Sequence, residues 1–255
     1  MKLCRSLKSF LDILLRNFPT ATALVIIAIL ESSTLIAADA EQEVVVVKEY
    51  IESEQRLHFD ALLAEFGQHK ELPINFELQT LLALSHYPEL KDIKIRFIID
   101  DVGIPLSSRP HWASMLRSAS NRSYQVIMDS NLEGPRDVLL LKNQPFNAQI
   151  GIIGHELAHT VYYLNRSFWG IIADALCQLN ACRIDFERAT DRRLISYGLG
   201  WQRYDHATFV RRRFAPDPKS NANAELSSTT EVGRGAYMSP EELLAIMRNI
   251  DSYAD

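Results

Sequence analysis

His155-Glu156-Leu157-Ala158-His159 is the stretch of this chain whose residue types and spacing can do chemistry. Two histidines four apart on a helix point the same way and can grip one zinc ion. Glu156, one residue round, can take a proton from a water held there. The chemistry expected is metal-assisted hydrolysis, of peptide bonds above all. The motif lies in an apolar stretch, with Ile150-Gly151-Ile152-Ile153-Gly154 before it and Val161-Tyr162-Tyr163 after it. Two imidazoles and a carboxylate buried in such a helix cost free energy without a partner, and a zinc ion supplies one.

Catalytic zinc takes three protein ligands and leaves a fourth position for water, so a third ligand is expected downstream. Metzincins place a glycine and a third histidine where this chain has Tyr162 and Asn165, which excludes that class. Glu187-Arg188-Ala189-Thr190-Asp191 sets two acids on the same side of a helix. One can bind zinc while the other accepts a hydrogen bond from a liganding imidazole. Asp185 and His206 are the other candidates for the third position, and Arg188, Arg192 and Arg193 also suit a solvated, ion-paired face.

Over roughly residues 147–198 the chain resembles the gluzincins, zinc metallopeptidases that pair His-Glu-x-x-His with a downstream Glu-x-x-x-Asp. The resemblance implies a mainly helical, zincin-like half with His155, His159 and Glu187 as zinc ligands. It further implies Glu156 as general base and Asp191 as the group that orients a liganding histidine. A hydrogen-bond donor for the tetrahedral oxyanion is also expected. His206 and Tyr204 are the leading candidates just after the Glu helix, with Arg203 and Tyr197 behind them.

The elements that must position these residues follow from periodicity. Asn147 is the expected N-cap of the motif helix, whose apolar face is Ile150, Ile153, Leu157 and Val161. Ile93, Ile95, Phe97 and Ile99 alternate with Lys94, Arg96 and Ile98 as a strand does, and Tyr124 to Met128 is a second strand-like run. A sheet edge beside the metal can bind an extended peptide by backbone pairing. Helices are expected over most of 41–66, then at 76–85, 168–179, 182–197 and 201–214. A last one starts at the capping box Ser239-Pro240-Glu241-Glu242. Trp169, Phe186, Trp201 and Phe209 read as core or pocket wall. The fold class is α+β, a single domain over 41–255 with a small antiparallel sheet followed by the helical half. Residues 215–237, rich in Pro, Ser, Asn, Thr and Gly, form either a lid or a solvated connector.

Composition fits such a domain: 47% hydrophobic and 23% charged residues suffice for a packed core. Lys2, Arg5, Lys8 and Arg16 precede the apolar run Ala21 to Leu30 and the Ala38-Asp39-Ala40 site, a signal-peptide pattern over 1–40. An uncleaved N-terminal anchor is the alternative, and in both cases the domain is exported, periplasmic or extracellular. Residues 1–40 carry four basic and three acidic side chains, net +1, so removing them from the total of −5 leaves about −6. That balance argues against nucleic acid or an anionic membrane as partner and leaves a peptide or protein substrate. Cys177 and Cys182 remain in an oxidising compartment, as a disulfide or as two buried thiols; a bridge requires the helix to break near Asn180. Two function classes result: a zinc metallopeptidase, or a non-catalytic zinc-binding or partner-binding extracytoplasmic module. Glu156 favours the first, because a purely structural site needs no base between its histidines.

Overall fold

Ile95 and Phe97 point into the core while Lys94 and Arg96 stay in water, and the segment that carries them is a strand. The computed structural model describes residues 44–115, 117, 121–178, 182–214 and 236–254. Its strands are β1 (Lys70–Glu71), β2 (Lys94–Asp100), β3 (Leu106–Pro110) and β4 (Ser123–Asp129), in the order β1-β2-β4-β3. β1 and β4 both run parallel to β2, and β3 alone is antiparallel, to β4. The fold is thus α+β, but the sheet is mixed rather than antiparallel throughout. Alternation marks a strand without fixing its sense; β4 slots between β2 and β3, which sets it parallel to the one and antiparallel to the other.

β3 was not expected. Its Leu106-Ser107-Ser108-Arg109-Pro110 has no apolar alternation, and it forms because β4 offers it a ladder from Leu106↔Met128 to Pro110↔Tyr124. It is an edge strand, where a proline without an N–H is tolerated.

The helices are α1 (Glu52–Gln55), α2 (Phe59–Phe66), α3 (Glu77–Leu84), α4 (Phe146–Leu164), α5 (Phe168–Gln178), α6 (Cys182–Ser196), α7 (Gly200–Arg213) and α8 (Pro240–Met247). α3 supplies the crossover that parallel β1 and β2 require. The expected helix over the valines is corrected: residues 44–51 hold no helix, and regular structure starts at Glu52. Here Val47 uses its carbonyl to accept from Gln202 Nε2 at 2.8 Å, a long-range bond that a helix would have replaced.

α4 is buried on every side from Ala148 to Val161, packed between α3, α7 and β3. Its N-cap position is Pro145, not Asn147. The Asn147 amide pairs instead with both backbone groups of Tyr50, at 2.8 and 2.9 Å, and so ties the N-terminal segment to the central helix. Gly151 lets α7 close on α4: a Cβ there would lie 2.1 Å from the carbonyl oxygen of Gln202. This close approach brings Arg203 and His206 toward the histidines of α4.

Cys177 and Cys182 form a disulfide joining α5 to the start of α6. The two cysteines lie on separate helices, as the five-residue spacing demanded. Among the described residues no helix is long and apolar enough to cross a membrane. The signal pattern at 1–40, the break near Asn180 and residues 215–235 of the expected loop lie outside the described residues.

Candidate metal centre

α4 and α6 bring the site together. His155 and His159, one turn apart on α4, have ring centroids 4.8 Å apart. Glu187, Thr190, Asp191 and Leu194 are four of the five buried residues of α6 and recur at helical spacings of three and four. Three of those four are polar, which is affordable only because each finds a partner on α4 or α7. His155, His159 and Glu187 each offer a ligand atom, these atoms lie within 4.8 Å of one another, and the group can hold a metal ion.

Hydrogen bonds fix the ring protons. His155 Nδ1 donates to Asp191 Oδ1 at 2.8 Å. Thr190 donates its one hydroxyl proton to the Phe186 carbonyl at 3.0 Å, so at His159 Nδ1, 3.2 Å away, it accepts. With Nδ1 of each ring taken up as a donor, it is Nε2 that each imidazole has left to offer a metal. These atoms face Glu187 Oε2 at 3.0 and 3.3 Å. Three acceptors around one point repel unless a positive charge sits between them, whether a proton on an imidazole or a metal ion. The two nitrogen–oxygen separations also suit a metal: ligand atoms about 2.0–2.1 Å from a tetrahedral ion lie about 3.3 Å apart.

The electrostatics express the same demand. Burial lowers the His155 imidazole, yet its bonds to Asp191 and Glu187 outweigh burial and hold it at about 9. Burial raises Glu187, and the two histidines overcome this and pull it well below the carboxylate range. Glu156, enclosed on α4, is pushed up by burial, while His159 and His155 act against that rise.

Asp191 holds three groups at once. Besides His155, it accepts from Arg203 Nε at 2.7 Å through Oδ1 and from the Met238 backbone N–H at 3.0 Å through Oδ2. Its side chain is 0% exposed and that of Arg203 2%. Burial raises the Asp191 carboxyl, and Arg203 with His155 returns it far below its ordinary value.

The other residues expected at the site fall differently. Asp185 is exposed, outside the ligand group. Tyr204 packs against Trp201, its neighbour one turn back on α7. Tyr197 donates to Glu89 and packs on Tyr87, 4.7 Å between centroids. His206 is buried near the cluster, but its Nδ1 donates to Gln144 Oε1 at 2.7 Å, and the same amide donates to the Leu139 carbonyl. Burial and Arg203 keep it far below the ordinary histidine value, so its Nε2 carries no proton to give. Arg203 is committed to Asp191. Phe186 is a wall as expected, stacked on His159 at 5.0 Å, whereas Trp169 is 76% exposed.

Tyr237 is the residue that sequence reasoning missed. Its ring meets His155 edge to face at 5.6 Å, and the Arg203 guanidinium lies over it at 5.3 Å. Composition assigned it to the end of a loop; the local signal available was the capping box that begins two residues later. Comparison of the chain with known families, curated proteins and solved structures gives no match.

Proposed function

We propose that this protein is an exported zinc-dependent peptide hydrolase of gluzincin type. The observation behind the reading is the meeting of two imidazole Nε2 atoms and one carboxylate oxygen, with a second carboxyl, Glu156, buried on the same helix. Two nitrogens and one oxygen form the donor set of a catalytic zinc site with one position left open. A bound zinc supplies Lewis acidity toward a water and toward a substrate carbonyl.

The chain's own residues supply the rest. Glu156 takes the proton of the attacking water and passes it to the leaving amine, a transfer favoured by a carboxyl whose proton affinity is raised above the ordinary. Asp191 keeps His155 in the tautomer that presents Nε2, and Thr190 does so for His159. β3 is an edge strand tied to the motif helix through Ser108 Oγ and Thr160 Oγ1 at 2.8 Å. An extended peptide pairing with its outer edge would run beside α4, held by backbone rather than by side-chain identity.

The deciding experiment compares the wild-type chain with Glu156→Gln. Both are expected to hold about one zinc per molecule. A screen of peptides should give chelator-sensitive cleavage by the wild type and a loss of about 10²–10⁴-fold in the variant. Equal cleavage by the two forms would remove Glu156 as the base, and zinc-loaded wild type without cleavage would leave a binding module. Export is supported by the Cys177–Cys182 disulfide, which persists in oxidising compartments. The exported chain is expected to begin near Glu41, as N-terminal sequencing would read; an intact Met1 terminus on the exported chain contradicts cleavage.

A further inference from the structure

We propose that Tyr237 is the hydrogen-bond donor to the tetrahedral oxyanion, a role that rests on the peptide-hydrolase reading above. Acyl transfer from an amide needs a donor where negative charge develops on the carbonyl oxygen, besides the base that moves the proton. The side chains nearest in sequence to the Glu helix are engaged elsewhere. His206 has given its ring proton to Gln144, Arg203 is locked onto Asp191, and Tyr204 packs against Trp201.

Tyr237 comes from the segment just before α8 and packs on His155, and its place is set by contacts at both neighbours. Ala236 and Met238 are buried, 1% and 2% exposed, while Tyr237 between them keeps partial exposure beside His155. The Met238 N–H is held by Asp191 Oδ2, the carboxylate whose other oxygen orients His155. One residue thus fixes both a ligand ring and the backbone beside the phenol. One residue further on, Ser239 accepts from the Glu242 N–H at 3.3 Å, and the Glu242 carboxylate accepts from the Ser239 N–H at 2.8 Å. Arg188, adjacent to Glu187 on α6, pairs with that same Glu242. The first turn of α8 is therefore pinned to the helix that carries the third ligand. Arg203 beneath the ring holds its plane through a cation–π contact. A phenol fixed in this way can donate without reorganising when charge appears, which is the condition under which such a donor accelerates a reaction.

Tyr237→Phe removes only the hydroxyl and keeps the ring contacts with His155 and Arg203. Three quantities are measured on the zinc-loaded chain: metal content, steady-state hydrolysis of the best peptide from the cleavage screen, and calorimetric affinity for a phosphinic pseudopeptide of that sequence. The tetrahedral phosphinate imitates the oxyanion. Expected for the variant are unchanged zinc content and thermal midpoint, KM within about twofold, and kcat lower by about 10²–10³-fold. The phosphinate should bind more weakly by a similar factor, which a packing role alone would not produce. Equal kcat and equal phosphinate affinity in the two forms overturn the assignment, and so does loss of zinc, which would make Tyr237 part of the metal's holding. A zinc-loaded wild type that neither cleaves peptide nor binds phosphinate defeats the hydrolase reading itself; a wild type that does both, beside an unaffected variant, defeats only Tyr237.

Discussion

Glu187→Ala is expected to empty the metal centre at zinc concentrations that saturate the wild-type chain. Glu187 Oε2 is the atom on which both imidazoles converge, and no other described acid makes a ligand group with His155 and His159. Losing a residue that merely orients a ligand costs about 10–100-fold in affinity, so losing the ligand should exceed that, at about 10³-fold or more. The substitution also removes one of the carboxylates that hold the His155 imidazole up, while Asp191, whose bond is the larger cause, remains. Competition with a chromophoric chelator measures the affinity, and His206→Ala is the control. His206 donates to Gln144 and faces no ligand atom within hydrogen-bonding range, so its removal should shift zinc affinity by less than about threefold. If His206→Ala releases zinc and Glu187→Ala retains it, the ligand set described here is wrong.

The second large effect is expected at Asp191. Replacing it with alanine strands three groups at once: the Arg203 guanidinium, the His155 Nδ1–H and the Met238 N–H. Removing one partner of a buried ion pair costs about 3–5 kcal/mol, because the other charge remains in the interior. For a domain of this size each kcal/mol lowers the thermal midpoint by about 2–4 °C, so a fall of about 10 °C is expected in chelator. Zinc affinity should fall by about 10–100-fold in parallel, since His155 loses the acceptor that fixes its tautomer. The double variant Asp191→Ala with Arg203→Met separates the two consequences. Taking the stranded charge away should return most of the thermal midpoint, as apolar replacement of buried ion pairs commonly does, without restoring zinc affinity. A double variant that recovers both would show that Asp191 acts on the metal only through the stability of the fold.

Much of the helical half could be read from periodicity and caps. The span from Phe146 to Leu164 is too apolar to be anything but a buried element, and the capping box at Ser239–Glu242 forms as the spacing requires. Asn147 shows the limit of such local reading: it looks like a cap, but bonding to Tyr50, 97 residues away, wins because a backbone pair there would otherwise be left open. Glu187 and Asp191 read as ligand and orienting acid but also suit a solvated face full of arginines. Burial decided between those readings, and burial depends on which side of α6 meets α4. Trp169 erred the other way, an aromatic residue read as core or pocket wall that lies in water on α5.

β3 and Tyr237 mark where sequence alone gave out. Leu106–Pro110 has almost no strand propensity of its own, and it becomes one because β4 presents unpaired backbone groups beside it. Tyr237 belongs to a stretch that composition describes only as polar and small, and it reaches His155 because Asp191 and α8 fix the chain on either side of it.

The sequence by itself determined that two imidazoles and the Glu156 carboxyl share one helix, since 3.6 residues per turn dictate which side chains coincide. Only the tertiary structure decided which acid completes the group, which ring nitrogens face it and which phenol ring packs beside it. Those depend on hydrogen bonds between α4, α6, α7 and the segment before α8, and such contacts join residues too far apart in the chain for any local period to register.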